Sequence, residues 1–186
     1  MKLFMLRHAH SMGNEKHILD SSSSKFDFGL SKKGKIQAEN LILKLNKYNF
    51  DIFIISPLKR TIETIKPFLK TLHNPQIITN QLTLERNAGE FIGKPVTSIK
   101  EFYEKNNIKN KVSFKPQKGE SILEVYEKAK KFLEFLKKNF VNKNILICGH
   151  KNFLMCFEIL LRNKNIQDYY LFKPLENSEI KEFEIN

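Results

Sequence analysis

At 186 residues, with 41% hydrophobic and 11% aromatic content, the chain has the length and composition of one folded domain with a sizeable core, which excludes a disordered protein. No apolar run approaches the ~20 residues of a membrane-spanning helix. The N-terminal "MKLFMLRHAH" turns polar after six residues, too soon for a secretion signal, so a soluble cytoplasmic protein with no membrane partner is expected.

Strand-like "KLFML" (2–6) leads into Arg7, His8, His10, Ser11 and Asn14, and the serine run at 21–24 reads as a mobile surface loop. "SKKGKIQAENLILKLNKY" (31–48) has helical spacing with Ser31 as N-cap. A second apolar strand, "DIFII" (51–55), precedes a helix over 58–72 in which Pro67 predicts a kink. A short strand follows at 76–79. Segment 86–120, with scattered Gly, Pro and Lys, reads as an excursion over the top of the sheet. Then come a long amphipathic helix (121–140), the strand "NILIC" (144–148) and a helix over 152–162. The tail "SEIKEFEIN" alternates like an antiparallel edge strand. This order predicts an α/β fold: a three-layer α/β/α sandwich with a mostly parallel sheet and an antiparallel C-terminal edge strand, as one domain over 1–186. Cys148 and Cys156 sit in apolar runs outside any C-x-x-C pair and are expected to be buried, inert thiols.

The chemistry collects at the strand exits. The first strand runs into Arg7-His8, the second into "SPLKR" with Arg60, and the 144–148 strand into Gly149-His150. Open α/β sheets bind ligands at the carboxyl ends of their strands. Only four arginines accompany 28 lysines, and two of the four lie at these exits with two of the five histidines. Two guanidiniums on one ligand point to an anion, and to phosphate in particular. A neutral imidazole can attack phosphorus and form a phosphohistidine that water later cleaves. Arginines and a second histidine would neutralise the transferring group, and a carboxylic acid must protonate the leaving oxygen.

At these residues the sequence resembles the histidine phosphatase superfamily, the phosphoglycerate mutase-like proteins. "LRHAHSMGN" is similar to its signature, "LSKKGKIQA" (30–38) to a helix start, and "SPLKRTIET" (56–64) to the segment bearing its second arginine. "LERNAGEFIG" (84–93) is similar to the stretch that begins with its acid, and "GES" (119–121) and "ILICGHKN" (145–152) to two later landmarks. The resemblance implies a phosphohistidine enzyme that needs no metal or other cofactor. It implies His8 as nucleophile, Arg7, Arg60 and His150 as the phosphate pocket, and Glu85 as proton donor. Ser11 and Asn14 would hydrogen-bond the phosphate or order its loop. Lys151, His10 and Asn152 join the substrate-binding set, with His10 on the rim.

Ala9 replaces the commoner Gly, His10 stands where many relatives carry an acid or amide, and Lys151 where a glycine usually follows the second histidine. These departures bear on specificity. Arg86 is read equally as a substrate contact or a surface salt bridge, and Glu120 receives no role. Only 34 residues separate Glu85 from Glu120, whereas glycolytic mutases of the family carry an extended basic insertion there. A phosphatase acting on a phosphorylated small molecule is therefore favoured over a phosphoprotein phosphatase or a mutase.

Two other classes compete. The spacing His8-x-His10 suits a metal phosphoesterase, but the sequence shows no carboxylate partners to complete the site. The net charge of +12 would steer anions, yet without zinc-knuckle spacing, an RNP-like aromatic motif or a basic arm it predicts no nucleic-acid partner. The oligomeric state is left open.

Overall fold

The computed structural model describes residues 1–20 and 26–185, so the serine run at 21–24 lies outside the described residues. Five strands form one sheet: β1 (Lys2–Arg7), β2 (Ile52–Ile55), β3 (Ile77–Thr79), β4 (Asn144–Gly149) and β5 (Ile180–Glu184), in the order β3-β2-β4-β1-β5. The first four pair in parallel, and β5 runs antiparallel along β1 with Leu3 opposite Phe183. Both the parallel body and the antiparallel edge expected from the sequence are present.

The apolar pentads are buried on both faces, as strands covered on two sides require. Alternate residues divide between two cores. Leu3, Met5, Ile145 and Ile147 pack with Val125, Phe132, Phe153 and Phe157 from helices α5 (Ile122–Asn139) and α6 (Lys151–Leu161). Phe4, Leu6, Leu146 and Cys148 pack with Leu41 and Leu45 of α2 (Lys32–Leu45) and with Ile65 and Phe68 of α3 (Lys59–Leu69). The layers are therefore helix, sheet, helix. The chain leaves β1 towards the α2/α3 face and β4 towards the α5/α6 face. The carboxyl ends of these neighbouring strands thus open onto the crevice where α/β sheets bind ligands.

Helix ends follow local chemistry. Ser31 caps α2 by accepting from Gly34 N, and Ser121 and Glu124 form a reciprocal capping box on α5. Pro67 does not interrupt α3, which runs on to Leu69; the proline sits in the last turn, where few hydrogen bonds remain to be lost. Two helices escape the sequence reading. Ser11 caps the four-residue α1 (Met12–Glu15), and α4 (Ser98–Lys105) lies inside the segment read as an excursion over the sheet, burying Tyr103. Both cysteines are buried free thiols, and burial pushes their pKa values up. Among the described residues no helix is long and apolar enough to cross a membrane.

Candidate active site

Sheet register assembles the floor of the site. Arg7 of β1 pairs with Gly149 of β4, so His8 and His150, the next residues along, emerge side by side with ring centroids 5.3 Å apart. Both rings are buried, at 3% and 0% exposure. A carbonyl cannot donate, so the 2.7 Å contact from His8 Nδ1 to Ala9 O places the proton on Nδ1 and leaves the Nε2 lone pair available. The main chain of the same turn is fixed by Thr64 Oγ1, which accepts from Ala9 N at 2.8 Å, and by Asn177 Nδ2, which donates to His8 O at 2.9 Å. His150 Nε2 lies 2.7 Å from Ser56 Oγ at the exit of β2.

Burial, then the positive Arg60, lowers both histidine pKa values well below the ordinary 6.5, so both rings are neutral at neutral pH.

Arg60, in the first turn of α3, is almost wholly buried at 1% exposure. Asp20 and Asp27 face its Nη1 at 3.8 and 3.7 Å, at ion-pair range but beyond hydrogen-bond distance. Arg7 Nη1 donates to the Leu175 carbonyl at 2.7 Å. Four further polar atoms of this group, Arg7 Nε, Arg60 Nε and Nη1, and His150 Nδ1, are buried without a hydrogen-bond partner among the described residues. An unpaired buried donor costs roughly 1–3 kcal/mol, more when charged. Several such atoms around one imidazole form a donor set that fits a tetrahedral oxyanion.

Glu85 stands across from this floor. Its Oε1 accepts from its neighbour Arg86 N at 2.8 Å and from Asn152 N, in the first turn of α6, at 3.1 Å. The carboxylate thus rests on a helix N-terminus, where orphan N–H groups favour negative charge. The Asn152 side chain is turned to Tyr169, whose hydroxyl donates to its Oδ1. Arg7, His8, Asn14, Glu85, Lys151 and Asn152 all line one cavity of about 760 Å³.

Four of the expected residues do not line it: Arg60 and His150 are buried behind Arg7 and His8, and His10 and Ser11 are engaged elsewhere. His10 is held against the start of α2: its main-chain N donates to Gln37, and its Nδ1 lies 2.9 Å from Ser31 Oγ. Ser11 is fully buried, caps α1, and donates through Oγ to Asp20 Oδ2 at 2.9 Å. His8 and His10 thus engage different elements. No group of three or more His, Cys, Asp or Glu positioned to hold a metal occurs among the described residues.

Several participants carry no sequence signal. Ser56 and Asn177 reach the histidines through strand pairing. Asp20 borders the serine run and has no motif around it. Arg86 is buried rather than a surface cation, its Nε donating to the Glu120 carbonyl at 2.7 Å. Glu120, left without a role, accepts from Asn87 N at 2.8 Å and pairs with Lys128 at 2.9 Å, fastening the irregular stretch that follows Glu85.

Residues 3–186 match the histidine phosphatase superfamily (branch 1). The chain belongs to that superfamily. Phosphoserine phosphatase 1 of Hydrogenobacter thermophilus is 31% identical over 159 residues, which cover 81% of this chain and 71% of the relative. A 2,3-bisphosphoglycerate-dependent phosphoglycerate mutase of Cytophaga hutchinsonii is 29% identical over 175 residues, covering 89% and 79%. In fold, the alpha-ribazole phosphatase of Shigella flexneri superposes with a TM-score of 0.83 at 19% identity, over 100% of this chain and 91% of that one. The sheet, with its parallel body and antiparallel edge strand, is the fold of that superfamily.

Proposed function

We propose that the protein is a metal-independent phosphatase that hydrolyses a small phosphomonoester through a phosphohistidine on His8. The observation that carries this reading is the buried, neutral His8 ring. Its Nδ1–H is committed to Ala9 O, which leaves Nε2 free; the His150 ring lies 5.3 Å away, and the positive charges of Arg60 and Arg7 act on the ring.

In the first step Nε2 attacks phosphorus, the N–P bond forms and the bond to the leaving oxygen breaks. Glu85 gives its proton to that oxygen. In the second step water attacks phosphorus, Glu85 takes the water proton, and the N–P bond breaks to release inorganic phosphate. Arg7, Arg60 and His150 hold the phosphoryl oxygens throughout, in a site dry enough for each contact to count. Ser11 and Asn14 order the loop through their reciprocal cap. Lys151 and Asn152 stand at the leaving-group side, and segment 86–120 is the excursion that shapes the substrate pocket. His10 acts only through its hold on α2.

The phosphatase relatives favour hydrolysis. Mutase relatives support a second reading, in which the same phosphohistidine returns its phosphate to an acceptor hydroxyl. Two free buried thiols fit the reducing cytoplasm. The test is p-nitrophenyl phosphate hydrolysis in excess EDTA, comparing wild type with His8→Ala. Turnover that survives chelation and disappears in the variant is expected. Turnover that needs metal, or persists without His8, overturns the assignment. Isomerisation of 3-phosphoglycerate with bisphosphoglycerate priming would select the mutase reading instead.

A further inference from the structure

The phosphohistidine reaction leaves one acid of the cavity without a role. Asp20 lines it beside Arg7, His8 and Glu85, with its side chain only 12% exposed. Its Oδ2 accepts from Ser11 Oγ at 2.9 Å and faces Arg60 Nη1 at 3.8 Å. The approach depends on Gly13, since a Cβ added there would collide with the Asp20 carboxyl group. Asp20 therefore occupies the cation that a phosphoryl dianion needs. It cannot stay beside the bound dianion in its charged form without strong repulsion.

We propose that Asp20 takes up a proton when the phosphoryl group binds, changing from a competitor for Arg60 into a hydrogen-bond donor to a phosphoryl oxygen. The inference rests on the phosphate-site reading above. The balance is simple: the carboxylate gains one proton from solvent on binding and returns it when phosphate leaves, and no bond to phosphorus changes in the process.

The groups that face Asp20 set the direction. Arg60 on α3 and Arg7 at the end of β1 favour its charged form, as does the Ser11 hydroxyl at the start of α1. Glu85 opposes it, and Asp27 shares Arg60 Nη1 at 3.7 Å. Burial outweighs Arg60 and already raises the Asp20 pKa above its ordinary value. An arriving dianion pushes the same way. The neighbouring histidines, held neutral by burial, bring no proton of their own. The consequence is an anion site whose affinity falls as pH rises, because binding at higher pH must draw the proton from a scarcer supply.

Sulfate is the probe, a dianion that does not titrate near neutral pH. Its binding is measured calorimetrically in two buffers of different ionisation enthalpy, for wild type, Asp20→Asn and Gly13→Ala. Wild type is expected to take up close to one proton per sulfate, with affinity falling by up to about tenfold per pH unit. Asp20→Asn keeps an acceptor for Ser11 and should bind with little uptake, a flatter pH dependence and higher affinity above neutrality. Gly13→Ala, which displaces the carboxylate but keeps its charge, should lose uptake as well and serves if Asp20→Asn fails to fold. Wild-type binding without uptake, as when Asp20 swings aside while still charged, overturns the proposal. So does equal uptake in both variants. No sulfate binding by any of the three proteins overturns the phosphate-site reading, and this inference with it.

Discussion

The floor of the site hangs from adjoining parallel strands: Arg7 and His8 face the cavity where sheet register puts them, with His150 buried beside His8 and Arg60 buried one helical turn beyond a third strand end. The wall is carried by segment 86–120, which contributes no strand and is held by side-chain ties such as Arg86 to Glu120 O and Lys128 to Glu120. A floor built this way has little freedom to vary. A wall built this way can change its residues without disturbing the strands. The difference assigns chemistry to the floor and choice of substrate to the wall, and substitutions in the two regions should behave differently.

The largest effect lies in the floor. His8→Ala removes the proposed nucleophile while leaving the sheet intact, and should reduce kcat by at least about 10⁴-fold in a p-nitrophenyl phosphate assay. Residual turnover within tenfold of wild type would break the comparison at its root. Glu85→Gln comes next, at the join between floor and wall. A glutamine keeps the Oε1 acceptor that receives Arg86 N and Asn152 N, so the scaffold should survive while the proton is lost. An alkyl phosphate, whose leaving oxygen must be protonated, should slow by about 10²–10⁴-fold. p-Nitrophenyl phosphate, whose phenolate leaves more readily unaided, should slow far less. Equal losses on both substrates would remove Glu85 from the donor role.

A third effect reads the floor through stability. Burial, then Arg60, holds the pKa values of His8 and His150 well below 6.5 in the folded protein. The unfolded chain therefore binds more protons than the folded one once pH falls through about 6.5. The stability these neutral rings allow is fully present above that value and is lost as pH drops below it. Each ring costs at most about 1.4 kcal/mol per pH unit until its folded-state pKa is reached. Urea unfolding at a series of pH values between neutral and mildly acidic measures the slope, and His150→Asn should lower it by close to one proton. An unchanged slope in that variant would mean that the ring is charged in the folded state.

The same contrast explains what the sequence discloses. The apolar pentads and their polar exits mark β1, β2 and β4, and with them Arg7, His8, Arg60 and His150, because strand pattern and strand end are local features. Ser31 and Ser121 announce their helices through local capping. Asp20, Ser56 and Asn177 belong to the site only through pairings between distant parts of the chain: Asp20 through Arg60, Ser56 through β2 beside β4, and Asn177 through β5 beside β1. No local pattern records those contacts. His10 is the converse case. It sits two residues from His8 in a histidine-rich stretch and yet faces Ser31, because Ala9 N is tied to Thr64 and His10 N to Gln37, which carries the chain onto the start of α2. Helix α4 is obscured for another reason: its eight residues make little more than two turns, too short for their apolar face to stand out as a period inside a segment of scattered Gly, Pro and Lys.

The smallest effect belongs to the wall. Lys111 is exposed at the edge of the cavity, with its ammonium 5.9 Å from the Tyr103 ring centroid, and no carboxylate stands within ion-pair range of it among the described residues. A cation in that position touches neither phosphorus nor the leaving oxygen, so it acts on the rest of a substrate or on its approach. Lys111→Ala should leave kcat unchanged for every substrate. For a phosphomonoester with a second anionic group it should raise KM about two- to fivefold at low ionic strength, the scale of one exposed charge pair of ~0.5–1 kcal/mol. The difference should shrink as salt screens it. p-Nitrophenyl phosphate, with no second anion, should show almost none of it. A fall in kcat instead would mean that the wall reaches the reacting atoms, and the division between a chemical floor and a selective wall would have to be redrawn at Tyr103.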